Sequence, residues 1–374
     1  MNENGSHRRW KTGHEEMKNK NKKKYLYIAA AAVLVLGFLC WFGRFSYRSY
    51  EASQKAREKL AAHEEAGSSG LTGESPDGEA QEGRDNGKGE IRYQGKTYRR
   101  NTAMRAILCI GVDTKGKMES HTAAGQGGQA DGVFLVAQDA ARDRVKILMI
   151  PRDSMTEITL FDLSGNELGK DIQHLTLAYA YGDGREKSCE LMTEAVSNLL
   201  GNLKIDGYAA VNISAIPILN DAVGGVTVTI REEGLEKRDP ALKKGETVTL
   251  QGDQAEIFVR YRDITKSQTA VSRMGRQKQY LQGYLQAAKE AASKNDRLIP
   301  DLMNRLQSNL ITDMPKDQYL DMALSVLNSQ DSLGDGDILT VPGEAVETNL
   351  YDEYHVDREA LVPMILDLFY VEKH

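Results

Sequence analysis

The sequence predicts an α/β or α+β domain in which helices cover a central sheet, preceded by one membrane-spanning helix. Three observations support this. Short runs rich in β-branched residues alternate with helical patterns, an uncharged apolar run lies near the N-terminus, and a Gly- and acid-rich segment separates the two regions. The 374 residues suffice for one large domain or two modest ones, and 40% hydrophobic content can supply a sizeable core.

The membrane helix is predicted from charge and length. Residues 1–24 carry eight Lys or Arg against three acids, and Tyr25–Phe42 then has no charge at all. A bilayer core requires a helix of roughly 20 apolar residues. Positive residues stay on the cytoplasmic side, so we predict a cytoplasmic tail at 1–24, a transmembrane helix at 25–43 and an extracytoplasmic remainder in a single-pass protein of the cell membrane.

A cleaved signal peptide is the alternative interpretation of the same run. Its apolar region is normally about 7–15 residues long and ends at a small-residue cleavage site. Here Phe42-Gly43-Arg44-Phe45 follows the run, which favours an uncleaved anchor.

A stalk and flexible linker are predicted at 44–90, because residues 67–90 are dominated by Gly, Glu, Ser and Asp and cannot bury a core. We place the main domain at 91–295 and expect 296–374, with three helical patterns and one strand, to pack on it. Helical spacing is clear at Glu190–Leu200 and Met274–Ala292. The predicted strands are Ala106–Val112, Val133–Gln138, Arg144–Ile150, Val226–Ile230, Ile257–Arg260 and Ile338–Val341.

Several classes of function have no support. A net charge of −6 gives no reason to expect nucleic-acid binding, and three cysteines argue against a disulfide framework. Neither a GxSxG nor an HExxH spacing is present. Gly111–Lys117 nearly matches a phosphate-binding P-loop, but Met118 replaces the hydroxyl residue that binds Mg²⁺, and the Gly-rich residues after it cannot open a helix.

Acidic residues at strand ends indicate a cation site. Asp113 ends the first strand of the central group, and Asp131 begins the second. Arg152 and Asp153 follow the third. Two carboxylates at neighbouring strand ends can hold Mg²⁺, which usually also keeps waters and substrate phosphate oxygens.

Arginines suit the same substrate, because the planar guanidinium binds phosphate bidentately and stays charged. Arg260 and Arg262 share one face if their segment is extended, and Arg273 and Arg276 share a helix face at i, i+3. The alternative is a set of ordinary surface ion pairs, worth about 0–1 kcal/mol each.

At these residues the chain resembles the LytR-CpsA-Psr family of cell-wall assembly proteins. The similarity is carried, in the family's order from about 105 to 285, by segments that include those just described. They are Gly111–Asp113, Asp131, Ile150–Ser154, Leu177–Gly182, Ile205–Tyr208, Leu219–Val228, Gln251–Ala255, Val259–Arg262 and Arg273–Gln277.

The resemblance implies a mixed central sheet flanked by helices, with an apolar pocket for a polyprenyl chain. It also implies a Mg²⁺-dependent phosphotransferase that moves an anionic glycopolymer from a polyprenyl-pyrophosphate carrier to peptidoglycan. Asp113 and Asp131 would bind the metal, and Asp113, Asp131, Arg152 and Arg276 would form the catalytic group. The substrate-binding residues would be Arg260, Arg262, Arg273 and Gln277.

Three positions depart from the family pattern. Gln129 stands where the family has Arg, Ala270 where it has Asp, and Thr176 where it has Asn. They motivate two alternatives: a non-catalytic sensor or scaffold that binds polyprenyl pyrophosphate, and a pyrophosphatase that uses water as the acceptor.

Overall fold

The computed structural model describes residues 82–142, 144–162, 164–263, 269–328, 336–348 and 351–373. The predicted cytoplasmic tail, the membrane helix at 25–43 and residues 44–81 of the predicted linker lie outside these ranges. The linker prediction is wrong for residues 82–90, which belong to the folded domain, because Asp85 is buried and donates its N–H to the Gly201 carbonyl and β1 begins at Glu90. Within the described ranges, no helix combines the length and the apolar character needed to cross a bilayer.

The described chain contains fifteen strands and eight α-helices. The strands are β1 Glu90–Tyr93, β2 Lys96–Arg100, β3 Met104–Val112, β4 Ala130–Asp139, β5 Arg144–Met149, β6 Met155–Phe161, β7 Glu167–His174, β8 Gly207–Asn212, β9 Val226–Thr229, β10 Thr247–Leu250, β11 Leu310–Thr312, β12 Ile338–Thr340, β13 Gly343–Glu347, β14 Asp352–Val356 and β15 Tyr370–Glu372. The helices are α1 Thr176–Ala180, α2 Glu186–Leu199, α3 Ala215–Ala222, α4 Asp253–Arg260, α5 Thr269–Lys294, α6 Leu298–Leu306, α7 Lys316–Asn328 and α8 Arg358–Phe369.

The central sheet has six strands in the order β11-β8-β3-β4-β5-β12. The chain runs antiparallel from β3 to β4 to β5, whereas β8 lies parallel to β3 and β12 parallel to β5. The sheet is therefore mixed, as the sequence predicts. Both edge strands come from the C-terminal segment after residue 296.

Alternation along the inner strands buries both faces of the sheet. Leu108 and Leu135 belong to one apolar cluster, which α2 and α8 cover, and their neighbours Ile107 and Val136 belong to another, against which α5 packs. A sheet covered on both faces reads as near-continuous apolar runs, which is why these strands are evident in the sequence. A third cluster joins β9 and β10 to α3, α4 and α5 around Phe258.

Two further sequence-based assignments are wrong. Ile257–Arg260 is predicted as a strand but forms the last turn of α4. Ala255, Phe258 and Val259 are its buried residues, a helical spacing, and Glu256 pairs with Arg260 one turn later. The C-terminal segment contains five strands rather than one, because its strands are only three to five residues long.

The connection at Gly224–Gly225 is a tight turn, since both residues have positive φ angles, 83° and 96°. Cys109 and Cys189 are free thiols. Burial raises the pKa of the Cys109 thiol to about 12, so this thiol stays protonated at neutral pH.

The loop between β3 and β4 is fixed by close contacts to the rest of the fold. Asn212 and Asn309 each donate a side-chain hydrogen bond of 2.7 Å to the carbonyl of Gly116. A Cβ added to Gly127 would lie 2.4 Å from the Cα of Gly184. Only a glycine at 127 permits this approach of two backbones.

We therefore expect Gly127→Ala to lower the free energy of unfolding by about 1–3 kcal/mol, the usual cost of overpacking. Urea unfolding followed by circular dichroism measures this. Gly275→Ala in α5 is the matched control, because nothing lies within 4 Å of its added methyl group. It should leave stability unchanged or raise it by up to about 1 kcal/mol. Equal effects in the two variants would contradict the packing argument.

Candidate functional site

A β-bulge places Asp131 at the start of β4. Gly111 of β3 lies opposite Gly132, and the next residue, Val112, lies opposite Ala130, so the register skips Asp131. Bulges bend a strand and redirect a side chain, and they are common beside active sites. The Asp131 side chain therefore does not follow the regular alternation of side chains between the two faces of the sheet.

Two guanidinium groups neutralise the Asp131 carboxylate. Arg152, in the segment after β5, donates from Nη1 to Oδ1 of Asp131 and from Nε to Oδ1 of Asp153 at 3.1 Å. Arg273, near the start of α5, brings Nη1 to 3.6 Å from the other Asp131 oxygen, Oδ2. Three separate parts of the chain therefore meet at one carboxylate.

The electrostatics of the two arginines differ. Burial opposes the charge of Arg152, but Asp131 and Asp153 outweigh it and raise the pKa of its guanidinium. For Arg273, burial dominates and lowers the pKa of the guanidinium, although Asp131 opposes the shift. Arg273 is thus a buried cation with incomplete compensation, a state that an anionic ligand would relieve.

A cleft opens at this cluster, with a volume of about 510 Å³ including its open mouth. Asp131, Arg152, Asp153, Arg273 and Gln277 supply its polar lining. Its apolar lining comes from Val133, Met149, Ile150, Pro151 and Met274. Charged groups beside an apolar wall suit an amphiphilic ligand that carries phosphate.

The β13–β14 hairpin forms the remaining wall, through Ala345, Asp352, Glu353 and Tyr354. Asp352 accepts a 2.7 Å hydrogen bond from Nη2 of Arg262. The sequence predicts no function for this hairpin, because no local motif marks these residues. The only signal is the acidic pair Asp352-Glu353 in a short strand.

Asp113 takes a different position from Asp131. Its Oδ1 accepts a 2.7 Å hydrogen bond from the backbone N–H of Gln129, and its own N–H donates to the Gln129 carbonyl at 3.0 Å. Asp113 is not among the residues that line the cleft. The structure thus pairs Asp113 with the strand that carries Asp131 but leaves it outside the cleft wall.

Arg260 and Arg262 do not form the shared face that an extended segment predicts, because α4 ends at Arg260. Arg260 pairs with Glu256 at 3.0 Å, and Glu256 also contacts Lys115 at 2.9 Å. Arg262, past the helix end, pairs with Asp352 instead. Of these two arginines, only Arg262 contacts a residue that borders the cleft, namely Asp352.

Arg276 binds the protein's own backbone. Its Nε donates to the Phe258 carbonyl at 2.9 Å, and its two terminal nitrogens donate to Glu232 and to the Tyr261 carbonyl. The side chain is buried, which lowers the pKa of the guanidinium. In this structure the group holds the end of α4 against α5, one turn from Arg273.

Two residues beside the cluster support its backbone. The buried Thr176 hydroxyl donates to the carbonyl of Ala130 at 2.9 Å, directly before Asp131. His174 has its Nε2 3.1 Å from the Asp352 carbonyl, and this contact joins β7 to the hairpin. Thr176, one of the three departures from the family pattern, therefore still supports the backbone beside Asp131.

The donor set fits a magnesium ion in its chemistry. Among the residues that the structure describes, no three His, Cys, Asp or Glu side chains cluster as metal ligands. Mg²⁺ needs only one or two carboxylates when waters and phosphate oxygens complete its shell. Asp113 and Asp131 lie at the adjoining ends of the paired strands β3 and β4 and are the two carboxylates that would hold it.

Comparison with known proteins identifies the family of this chain. The sequence model of the LytR_cpsA_psr family matches residues 68–366. The chain belongs to this family. The match includes the C-terminal hairpin as well as the cleft residues from β4, the segment after β5 and α5.

One relative is the polyisoprenyl-teichoic acid–peptidoglycan teichoic acid transferase TagU of Bacillus anthracis, which is 29% identical over 239 residues, covering 64% of this chain and 69% of TagU. Among solved structures, TagV of B. subtilis aligns with a TM-score of 0.54 at 21% identity, covering 71% of this chain and 97% of TagV. TagT bound to LI-WTA aligns at 0.53 and 20%, covering 71% and 90%. The two structures establish the shared fold.

Because Arg276 satisfies two carbonyls inside the protein, we expect Arg276→Met to lower the free energy of unfolding by about 2 kcal/mol or more. Thermal and urea unfolding measure the loss. Arg142→Met is the control, since the Arg142 side chain is 70% exposed and its partner Asp139 also accepts two backbone hydrogen bonds, and its effect should stay within about 0.5 kcal/mol. A stable Arg276→Met protein that fails only to bind phosphate would contradict the structural role.

Proposed function

We propose that the protein is a membrane-anchored phosphotransferase that moves an anionic glycopolymer from a polyprenyl-pyrophosphate carrier to peptidoglycan. The observation that carries the proposal is the Asp131 carboxylate held between Arg152 and Arg273 in a cleft with an apolar wall. The named activity of TagU supports the choice of donor and acceptor. The helix expected at 25–43 would keep the domain at the outer membrane surface, where both substrates meet.

The arginines supply most of the chemistry. Guanidinium groups bind phosphate oxygens bidentately, and they remain charged when buried. A pyrophosphate that enters the cleft would replace the Asp131 carboxylate as their partner. Arg152 and Arg273 would then neutralise the charge that develops on the departing lipid phosphate. When bound, Mg²⁺ would be held by Asp131 and Asp113 and would add a further positive charge at the phosphate oxygens.

The transfer is a substitution at phosphorus. An acceptor hydroxyl oxygen on peptidoglycan forms a bond to the phosphorus that carries the polymer. The bond from that phosphorus to the bridging oxygen breaks, and polyprenyl phosphate leaves with the electron pair. The hydroxyl proton passes to a carboxylate or to water. The apolar residues Val133, Met149 and Ile150 would lie against the first part of the prenyl chain.

A second candidate is a non-catalytic protein that binds the same lipid. It is favoured by the position of Asp113, whose carboxylate is engaged by the Gln129 backbone and lies outside the cleft lining. Such a protein would bind polyprenyl pyrophosphate without turnover.

The test uses the full-length chain in detergent micelles with Mg²⁺, a polyprenyl-pyrophosphate-linked glycopolymer and peptidoglycan. We expect transfer by the unaltered chain, and a loss of at least 100-fold in two variants. Asp131→Ala removes a carboxylate that would hold the metal, and Arg152→Ala removes a positive charge at the reacting phosphate. Arg142→Ala is the matched control, since it breaks an Arg–Asp pair at the other end of β4. Circular dichroism verifies that each variant is folded.

The product distinguishes the candidates. Polymer attached to peptidoglycan supports the transferase. Polymer phosphate released into water identifies a pyrophosphatase, and binding without either product identifies the non-catalytic protein. Undiminished transfer in Arg152→Ala would refute the mechanism.

A further inference from the structure

An ion pair connects the two sides of the cleft mouth. Arg262, two residues past the end of α4, donates from Nη2 to Oδ2 of Asp352, the first residue of β14, at 2.7 Å. Both side chains are about one third exposed, 32% and 29%, so the pair is partly shielded and within reach of solvent. Asp352 borders the cleft, and the charge of Arg262 acts on Arg273 inside it.

The position of Asp352 does not depend on this pair. Tyr354 lies two residues further along β14. It donates its N–H to the Asp153 carbonyl at 2.9 Å and its hydroxyl to the Val341 carbonyl at 2.7 Å. The Asp352 carbonyl itself lies 3.1 Å from Nε2 of His174. The hairpin is therefore held against the cleft by three contacts that do not involve Arg262, and these contacts fix the backbone that carries the Asp352 carboxylate.

The Asp352 carboxylate occupies the guanidinium of Arg262 in the same way that a phosphate would. Carboxylate and phosphate oxygens both match the guanidinium fork, so only one of them can fully occupy it at a time. A phosphate that recruits Arg262 must first break a charge-assisted hydrogen bond to Asp352. This cost appears as weaker apparent affinity, since the binding-competent state is only fractionally populated.

We propose that Asp352 is an internal competitor that occupies Arg262 in the free protein and is displaced by the ligand's phosphate. The inference rests on the proposed function, because it requires a phosphate ligand in the cleft. In the transferase, Asp352 would recapture Arg262 after the reaction and so hasten release of the lipid phosphate. The C-terminal hairpin thereby sets the affinity of the site.

The test is calorimetric binding of inorganic pyrophosphate to the full-length chain in detergent at a fixed Mg²⁺ concentration. Asp352→Asn retains the shape of the side chain and removes its charge. We expect its dissociation constant to fall about tenfold, equivalent to about 1.4 kcal/mol. Glu344→Gln is the matched control, because Glu344 is an exposed acid of the same hairpin and does not line the cleft. It should change binding by less than about twofold. Thermal unfolding verifies that both variants remain folded.

A double-mutant cycle with Arg262→Gln separates competition from simple charge repulsion. If Asp352 acts through Arg262, Asp352→Asn has no effect on binding once Arg262 is Gln. The proposal is overturned if Asp352→Asn weakens binding or leaves it unchanged, because Asp352 would then position Arg262 or be irrelevant. It is also overturned if tightening persists in the Arg262→Gln background. In these cases the phosphate site itself stands. If neither the unaltered chain nor any variant binds pyrophosphate, both this inference and the proposed function fall.

Discussion

The carboxylate of Asp131 constrains the structure around it, because a partly buried charge must be compensated where it lies. Arg152 and Arg273 compensate it, and both come from segments that follow β4 in the sequence, one directly after β5 and the other in α5. The bulge that releases Asp131 from the ladder is what allows both to reach it. The segment after β5 and the start of α5 are therefore tied to β4 by electrostatics, in addition to the apolar packing that covers the sheet.

The family's arginines illustrate how differently one residue type is used. Arg152 and Arg273 lie in the cleft and contact a carboxylate that a phosphate can replace. Arg276 is buried and donates hydrogen bonds to two backbone carbonyls, so its guanidinium holds the end of α4 against α5. Arg260 pairs one turn back along its own helix. A guanidinium suits all three roles because it presents five donors and keeps its charge under burial.

The sequence predicts the parts of the site that depend on neighbouring strands. Asp131 and Arg152 follow from strand ends in one sheet, and Arg273 follows from its position on a helix. The Arg262–Asp352 pair joins residues 90 positions apart, and no local pattern encodes such a contact. The interpretation of Arg260 fails for a different reason: Ile257–Arg260 is β-branched and apolar enough to look like a strand, and packing of Phe258 and Val259 in the third cluster makes it a helix. Local propensity yields to tertiary context there.

Two of the three departures from the family pattern, Gln129 and Ala270, remove a charged side chain, while the backbone contacts beside Asp113 and Asp131 remain. The side chain at 129 is Gln where the family has Arg, but the contact to Asp113 comes from the Gln129 backbone N–H, which any residue other than proline provides. At 176 the Thr hydroxyl still bonds the Ala130 carbonyl beside the bulge. Loss of a cation at 129 therefore weakens the binding of an anion more than it changes the geometry of the site. In a cleft where Asp352 already competes for an arginine, the balance between acids and the remaining cations decides whether a phosphate stays long enough to react.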